Sequence, residues 1–124
     1  AVLALLASDL PVHGLAHITG GGLTNLLRIG DGVGYQIHAP LPVPPIFSLI
    51  EERGSVSQAE MWEVFNMGCG FCVVVPAEHA QDAAALLDKR HPGTSIIGRV
   101  TDHARLVSVP QLSILGDLSG LRAA

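Results

Sequence analysis

At 124 residues the chain has the length of one domain that buries a core without disulfides or a structural metal. Its residues are 48% apolar, yet no run approaches the roughly 18–20 uninterrupted apolar residues that a membrane-spanning helix requires. Asp and Glu together number 11 against 7 Lys and Arg, which excludes a broad basic surface for a nucleic-acid backbone.

The opening Ala1-Val2-Leu3-Ala4-Leu5-Leu6-Ala7 has no Lys or Arg before Arg28. It lacks the basic start of a secretory signal and reads as a helix stopped by Pro11. Because it opens on Ala inside an apolar pattern, further sequence is expected upstream. Residues 12–19 read as a buried strand broken by Gly20-Gly21-Gly22. Leu23, Leu26 and Leu27 give residues 23–29 helical spacing, and Gly30-Asp31-Gly32 turns the chain into a strand over 33–39.

Pro45 suits a helix's first turn and predicts a helix to Arg53, ended by Gly54. Ser57 with Glu60 three residues later matches a capping box, with reciprocal side-chain bonds, opening a helix over 58–64. A β-rich run over 70–75 precedes a helix marked by Ala80, Ala83, Ala84 and Leu87 and ended by Lys89-Arg90-His91-Pro92-Gly93. Residues 95–100 and 105–109 suggest a terminal strand pair joined through Thr101-Asp102-His103-Ala104, and the tail past Gly116 reads as loose. Interleaved strands and helices without repeats predict an α+β (α/β layered) fold, a single domain over 1–116 with a tail at 117–124.

A glycine turn feeding a helix presents bare backbone N–H groups to an anion, so Gly20-Gly21-Gly22 would suit a phosphate, although such a run is also a common tight turn. If residues 12–19 are extended, His13, Leu15, His17 and Thr19 share one face and the two histidines lie roughly 13 Å apart, too far to ligate one metal. His17, beside the glycines, is the better functional candidate. Cys69-Gly70-Phe71-Cys72 matches C-x-x-C, but no second ligand pair accompanies it and it starts a strand rather than a helix. Residues three apart on a strand point to opposite faces, so the two cysteines are read as structural filler. Only two cysteines suggest a reducing cytoplasm. Phe65-Asn66-Met67-Gly68 forms a loop of the kind that meets ligands. Glu51, Glu52, Glu60 and Glu63 read as solvated helix-face charges. No G-x-x-x-x-G-K-[ST] loop, H-E-x-x-H or G-x-S-x-G motif is present.

Val12-His13-Gly14-Leu15-Ala16-His17-Ile18-Thr19-Gly20-Gly21-Gly22-Leu23, then Asn25 and Arg28, Pro44-Pro45-Ile46-Phe47, Glu60-Met61 and Phe65-Asn66-Met67-Gly68 follow in an order and spacing that resembles the C-terminal domain of the aminoimidazole ribonucleotide synthetase family. The resemblance runs from near Ala1 to about Val100, with Ile97-Gly98-Arg99-Val100 similar to the family's closing strand. It implies a mixed sheet covered by helices. The sequence departs from the family in lacking a glutamate just before Asn25, where Thr24 stands, and a tryptophan before the proline-rich segment.

The resemblance implies an ATP-dependent phosphoribosylformylglycinamidine cyclo-ligase of purine biosynthesis. Such an enzyme activates the formyl amide oxygen of formylglycinamidine ribonucleotide with the γ-phosphate of ATP and closes the imidazole ring, releasing ADP and phosphate. ATP and Mg2+ are then held mainly by the family's N-terminal half, so this chain alone is expected to be inactive and to carry no metal ligand. In the carry-over His17 is catalytic, Thr19, Gly20, Gly21 and Gly22 hold part of the nucleotide substrate, and Asn25, Asn66 and Gly68 contribute further substrate contacts. The family forms cytoplasmic homodimers, largely through its N-terminal halves. The alternative is a non-catalytic binding or assembly domain of the same superfamily.

Overall fold

A chain with 14 glycines and 8 prolines is cut into short elements. In the computed structural model, which describes residues 1–124, the longest helix has ten residues. No helix is long and apolar enough to cross a membrane. The chain divides into two units, Ala1–Leu15 with Val73–Ile96 and Ala16–Cys72 with Ile97–Ala124.

In the first unit, helix α1 (Val2–Leu6) packs against α4 (Ala80–Asp88). Five residues are too few for an independent helix, and what holds α1 is burial: Leu5, Ala83 and Leu87 are sealed, with Leu10, Val12, Val73, Val75 and Leu86 packed around them. Ser8 ends α1, its hydroxyl donating to Leu5 O (2.6 Å) and accepting from Leu10 N–H (3.2 Å). A 3-10 turn, Ala77–His79, leads into α4. Of the strands that run on from this unit, β1 (Gly14–His17) and β3 (Phe71–Val74) pair in a two-stranded sheet, with His13 N–H bonded to Val74 O (2.8 Å).

The second unit holds a five-stranded mixed sheet in the order β4-β2-β5-β6-β7. Strand β2 (Gly34–Ile37) lies between β4 (Gly98–Thr101), antiparallel to it, and β5 (Val107–Val109), parallel to it. The expected pairing of the last two strands is therefore corrected: both bond β2, from opposite sides. The link between them passes over the start of β2, where Tyr35 N–H donates to Leu106 O (2.8 Å) and Arg105 N–H to Val33 O (2.9 Å). Gly34 makes that crossing feasible, because a Cβ there would run into the carbonyls of His103 and Leu106.

Residues 117–124 are not a loose tail. Strands β6 (Ile114–Asp117) and β7 (Gly120–Ala123) form an antiparallel hairpin that completes the sheet. The β7 edge is fixed by α3 (Gln58–Val64): Glu63, expected as a solvated charge, accepts from Leu121 N–H (3.1 Å). The capping box is half formed, since Ser57 Oγ accepts from Glu60 N–H (3.3 Å). Helix α2 (Pro45–Gly54) starts on its proline as predicted and buries none of its residues. Residues Gly22–Arg28 form a 3-10 helix rather than an α-helix. Its Leu23, Leu26 and Leu27 are buried, and it packs on α3, β2, β5 and β6. Tyr35 is sealed beside it with its hydroxyl donating to Ile29 O (2.6 Å), and burial raises its pKa above the ordinary tyrosine value.

Candidate functional site

Strand β1 alternates as its sequence requires: Ala16 and Ile18 are buried while His17 and Thr19 are exposed. Ile18 N–H donates to Gly70 O (2.9 Å), and the chain then leaves the sheet into the glycine turn. His17 is not isolated, because its ring stacks on Phe71 with centroids 6.3 Å apart. Nothing in the sequence flagged Phe71 as its neighbour.

The glycine turn is closed by Gly22 N–H donating to Thr19 O (2.9 Å). Gly21 (φ +96) and Gly22 (φ +53) both lie in the left-handed region that side chains disfavour. At Gly22 the need is absolute, since a Cβ would collide with the carbonyl of Trp62. At Gly20 a Cβ would meet nothing within 4 Å. The first glycine of the run therefore faces open space, whereas the third is a packing glycine.

Asn25 stands beneath the turn, 3% exposed. Its Nδ2 donates to three carbonyls, Gly22 O at 2.7 Å and Thr19 O and Gly20 O at 3.3 Å each. Its Oδ1 is buried with no partner. The amide orientation is fixed by this surrounding, because a flipped side chain would point its oxygen at three carbonyl oxygens. Thr24, at the position where the family resemblance calls for glutamate, donates its hydroxyl to Gly21 O (2.6 Å). Asn25 and Thr24 thus grip the turn's carbonyl side.

The second loop is shaped by Asn66, whose Oδ1 accepts from Gly68 N–H (2.9 Å) and whose backbone O accepts from Cys69 N–H (3.0 Å). Gly68 (φ +98) is pressed against Pro44, whose Cδ would lie 2.7 Å from an added Cβ. Met67 takes a left-handed conformation (φ +51) and is buried. This turn also corrects the reading of the cysteines. Cys69 precedes β3 rather than belonging to it, so the opposite-face rule does not apply, and the two buried thiols meet with Sγ atoms 3.5 Å apart.

No group of three or more His, Cys, Asp or Glu side chains converges anywhere in the chain. What the residues around the glycines do build is a backbone-lined turn, gripped from within and flanked by an exposed imidazole.

Mixed-sheet architecture and a clamped glycine turn at the end of β1 define an α/β domain with a backbone-lined turn. More specifically, the chain belongs to the family described as AIR synthase related protein, C-terminal domain, which matches residues 1–109. It is 47% identical over 110 residues to a phosphoribosylformylglycinamidine cyclo-ligase of Methanothermobacter thermautotrophicus, covering 87% of this chain and 31% of that protein. Proteins of the same name from Methanobrevibacter smithii and Thermococcus gammatolerans are 44% and 48% identical, over 85% and 82% of this chain and 30% and 29% of theirs. The chain thus spans about a third of the length of these relatives.

Proposed function

We propose that this chain serves as the C-terminal domain of an ATP-dependent phosphoribosylformylglycinamidine cyclo-ligase, contributing a substrate-binding turn to the ring closure that yields aminoimidazole ribonucleotide. The observation that carries the reading is the gripped glycine turn, set in a sequence 47% identical over 87% of this chain to a protein of that name. ATP and Mg2+ are assigned to the remaining part of such an enzyme, as the family resemblance implies. The isolated chain is accordingly proposed to be inactive, and the complete enzyme to be a cytoplasmic homodimer.

Within this proposal the N–H groups of Gly20 and Gly21 meet an anionic part of formylglycinamidine ribonucleotide, because that of Gly22 is already committed to Thr19 O. The support comes from the turn itself; the seven-residue 3-10 helix behind it adds little dipole. Thr19, exposed at the turn's entry, offers a hydroxyl to the same ligand. Asn25 acts as a positioning residue, holding the carbonyls inward so that the opposite side of the turn is free for the ligand. Asn66 and Gly68 shape the neighbouring loop as a second contact. His17, held on Phe71, orients substrate or moves a proton during ring closure.

The test is a chimera in which residues 1–109 replace the matching segment of the Methanothermobacter relative, assayed for ADP release that depends on formylglycinamidine ribonucleotide. Retained turnover is expected, with His17→Ala costing far more activity than His79→Ala, which alters the turn before α4. Equal kinetics for the two variants would remove His17 from the chemistry. A folded chimera that binds nucleotide without turnover would favour a non-catalytic binding domain.

A further inference from the structure

The pair Cys69 and Cys72 plays no part in the proposed substrate site, yet its geometry is specific. The two thiols are each 8% exposed, and their Sγ atoms are 3.5 Å apart and hydrogen bonded. The left-handed Met67 and Gly68 and the bond from Cys69 N–H to Asn66 O hold Cys69 in position before β3 begins. Two sulfurs without a third donor fall short of a zinc site. Two thiols already in contact need only a small movement to bond to one another.

We propose that Cys69 and Cys72 are a redox-active dithiol, converted by hydrogen peroxide into an intramolecular disulfide. Cys69 is the attacking group: the hydrogen bond from the Cys72 thiol lowers its pKa below the ordinary cysteine value. Its sulfur attacks one peroxide oxygen, the S–O bond forms as O–O breaks, and the departing hydroxide takes the Cys69 proton as water. Cys72 is held protonated by its bond to Cys69 and by burial. Once Cys69 is an uncharged sulfenic acid, the part of that restraint set by Cys69 is relieved and only burial remains. Cys72 sulfur then attacks Cys69 sulfur, the S–S bond forms as S–O breaks, and the hydroxide leaves with the Cys72 proton as a second water. The net reaction consumes one peroxide and two thiols and yields one disulfide and two waters. Peroxide is scarcely larger than water, so it suits thiols this enclosed, and the disulfide staples the base of the loop that carries Asn66 and Gly68.

The test uses the 124-residue chain, exposed to hydrogen peroxide in the folded state and, in parallel, unfolded in urea. In the folded chain the intact mass should fall by about 2 Da, and both thiols should be lost to labelling and recovered with dithiothreitol. A non-reducing peptide map should join Cys69 to Cys72. The folded chain should react several-fold faster than the unfolded one, which shares the sequence spacing but not the contact. Cys72→Ser should accumulate a sulfenic acid at Cys69 that dimedone traps, while Cys69→Ser should keep its remaining thiol. Thiols that survive, masses that rise by about 16 Da without the loss, intermolecular crosslinks, or a folded chain no faster than the unfolded one would each overturn the proposal. The wild-type comparison stands alone even if neither variant folds.

Discussion

Asn25 offers the sharpest test of how the glycine turn is held. Replacing it with Ala removes the donor to Gly22 O at 2.7 Å and the two longer bonds at 3.3 Å. Thr19 O keeps the Gly22 N–H, so the loss falls mainly on Gly20 and Gly22. A buried carbonyl left without its donor costs about 1–3 kcal/mol. Removing the unpartnered Oδ1 offsets part of that, and the balance is a loss of about 2 kcal/mol. Urea unfolding followed by circular dichroism at neutral pH should show the midpoint fall by about 1–2 M with an unchanged slope. Asn25→Asp separates polarity from volume: it is nearly isosteric but aims a carboxylate at three carbonyls, at a cost of about 3–5 kcal/mol. Burial and those carbonyls raise the folded-state pKa of that carboxyl above its unfolded value. The unfolded chain then binds fewer protons, so the variant loses stability as pH rises above about 4 and regains it on acidification. An Ala variant within about 0.5 kcal/mol of the parent, or an Asp variant as stable as Asn at neutral pH, would refute the clamp.

The glycines and the last turn carry three further expectations. Gly22→Ala should destabilise by about 2 kcal/mol or more, since φ +53 and the Trp62 carbonyl both oppose a Cβ. Gly20→Ala should keep the melting temperature but weaken substrate binding, read by calorimetry in the active chimera. A Gly20→Ala variant with parental affinity would move the ligand away from the turn. Asp117 accepts from Ser119 Oγ and N–H and pairs with Arg122 at 3.3 Å. The Ser119 bonds chiefly lower its pKa from 3.8. A depressed carboxylate contributes stability that is present above the unfolded value and lost as pH falls through the folded one. Carboxyl carbon shifts should therefore show Asp117 titrating below the ordinary aspartate value, and Ser119→Ala should bring it back toward that value.

Punctuation carried most of what the sequence revealed. Pro45 and Gly54 bound α2 where steric rules place them and Ser57 starts α3, while α1 stops at Leu6, ahead of Pro11. The glycine run was legible as a turn after a strand because three glycines end any regular element. What held that turn was not legible: neither the burial of Asn25 beneath three carbonyls nor the Trp62 carbonyl against Gly22 leaves a mark in sequence. Branched residues at 95–100 and 105–109 correctly announced strands, but residue type says nothing about which strand a neighbour bonds. Placing β2 between them depends on Gly34, which reads locally as a weak strand position. The cysteine pair escapes the strand rule for a related reason, since Cys69 lies just ahead of Phe71, where the strand begins.

The intercalation of β2 between β4 and β5 has a bearing on synthesis. Residues 34–37 leave the ribosome some sixty residues before either strand that flanks them, so the nascent β2 has both edges bare during that interval. The first unit, by contrast, can close as soon as Ile96 has emerged. The sheet forms only when Ile97–Ala124 arrives, and chains halted before β5 would carry an open, apolar strand. Chaperone dependence and aggregation during expression should therefore concentrate in products that end after Ile37 and before Val107, because these non-local pairings close only when β4 and β5 have emerged.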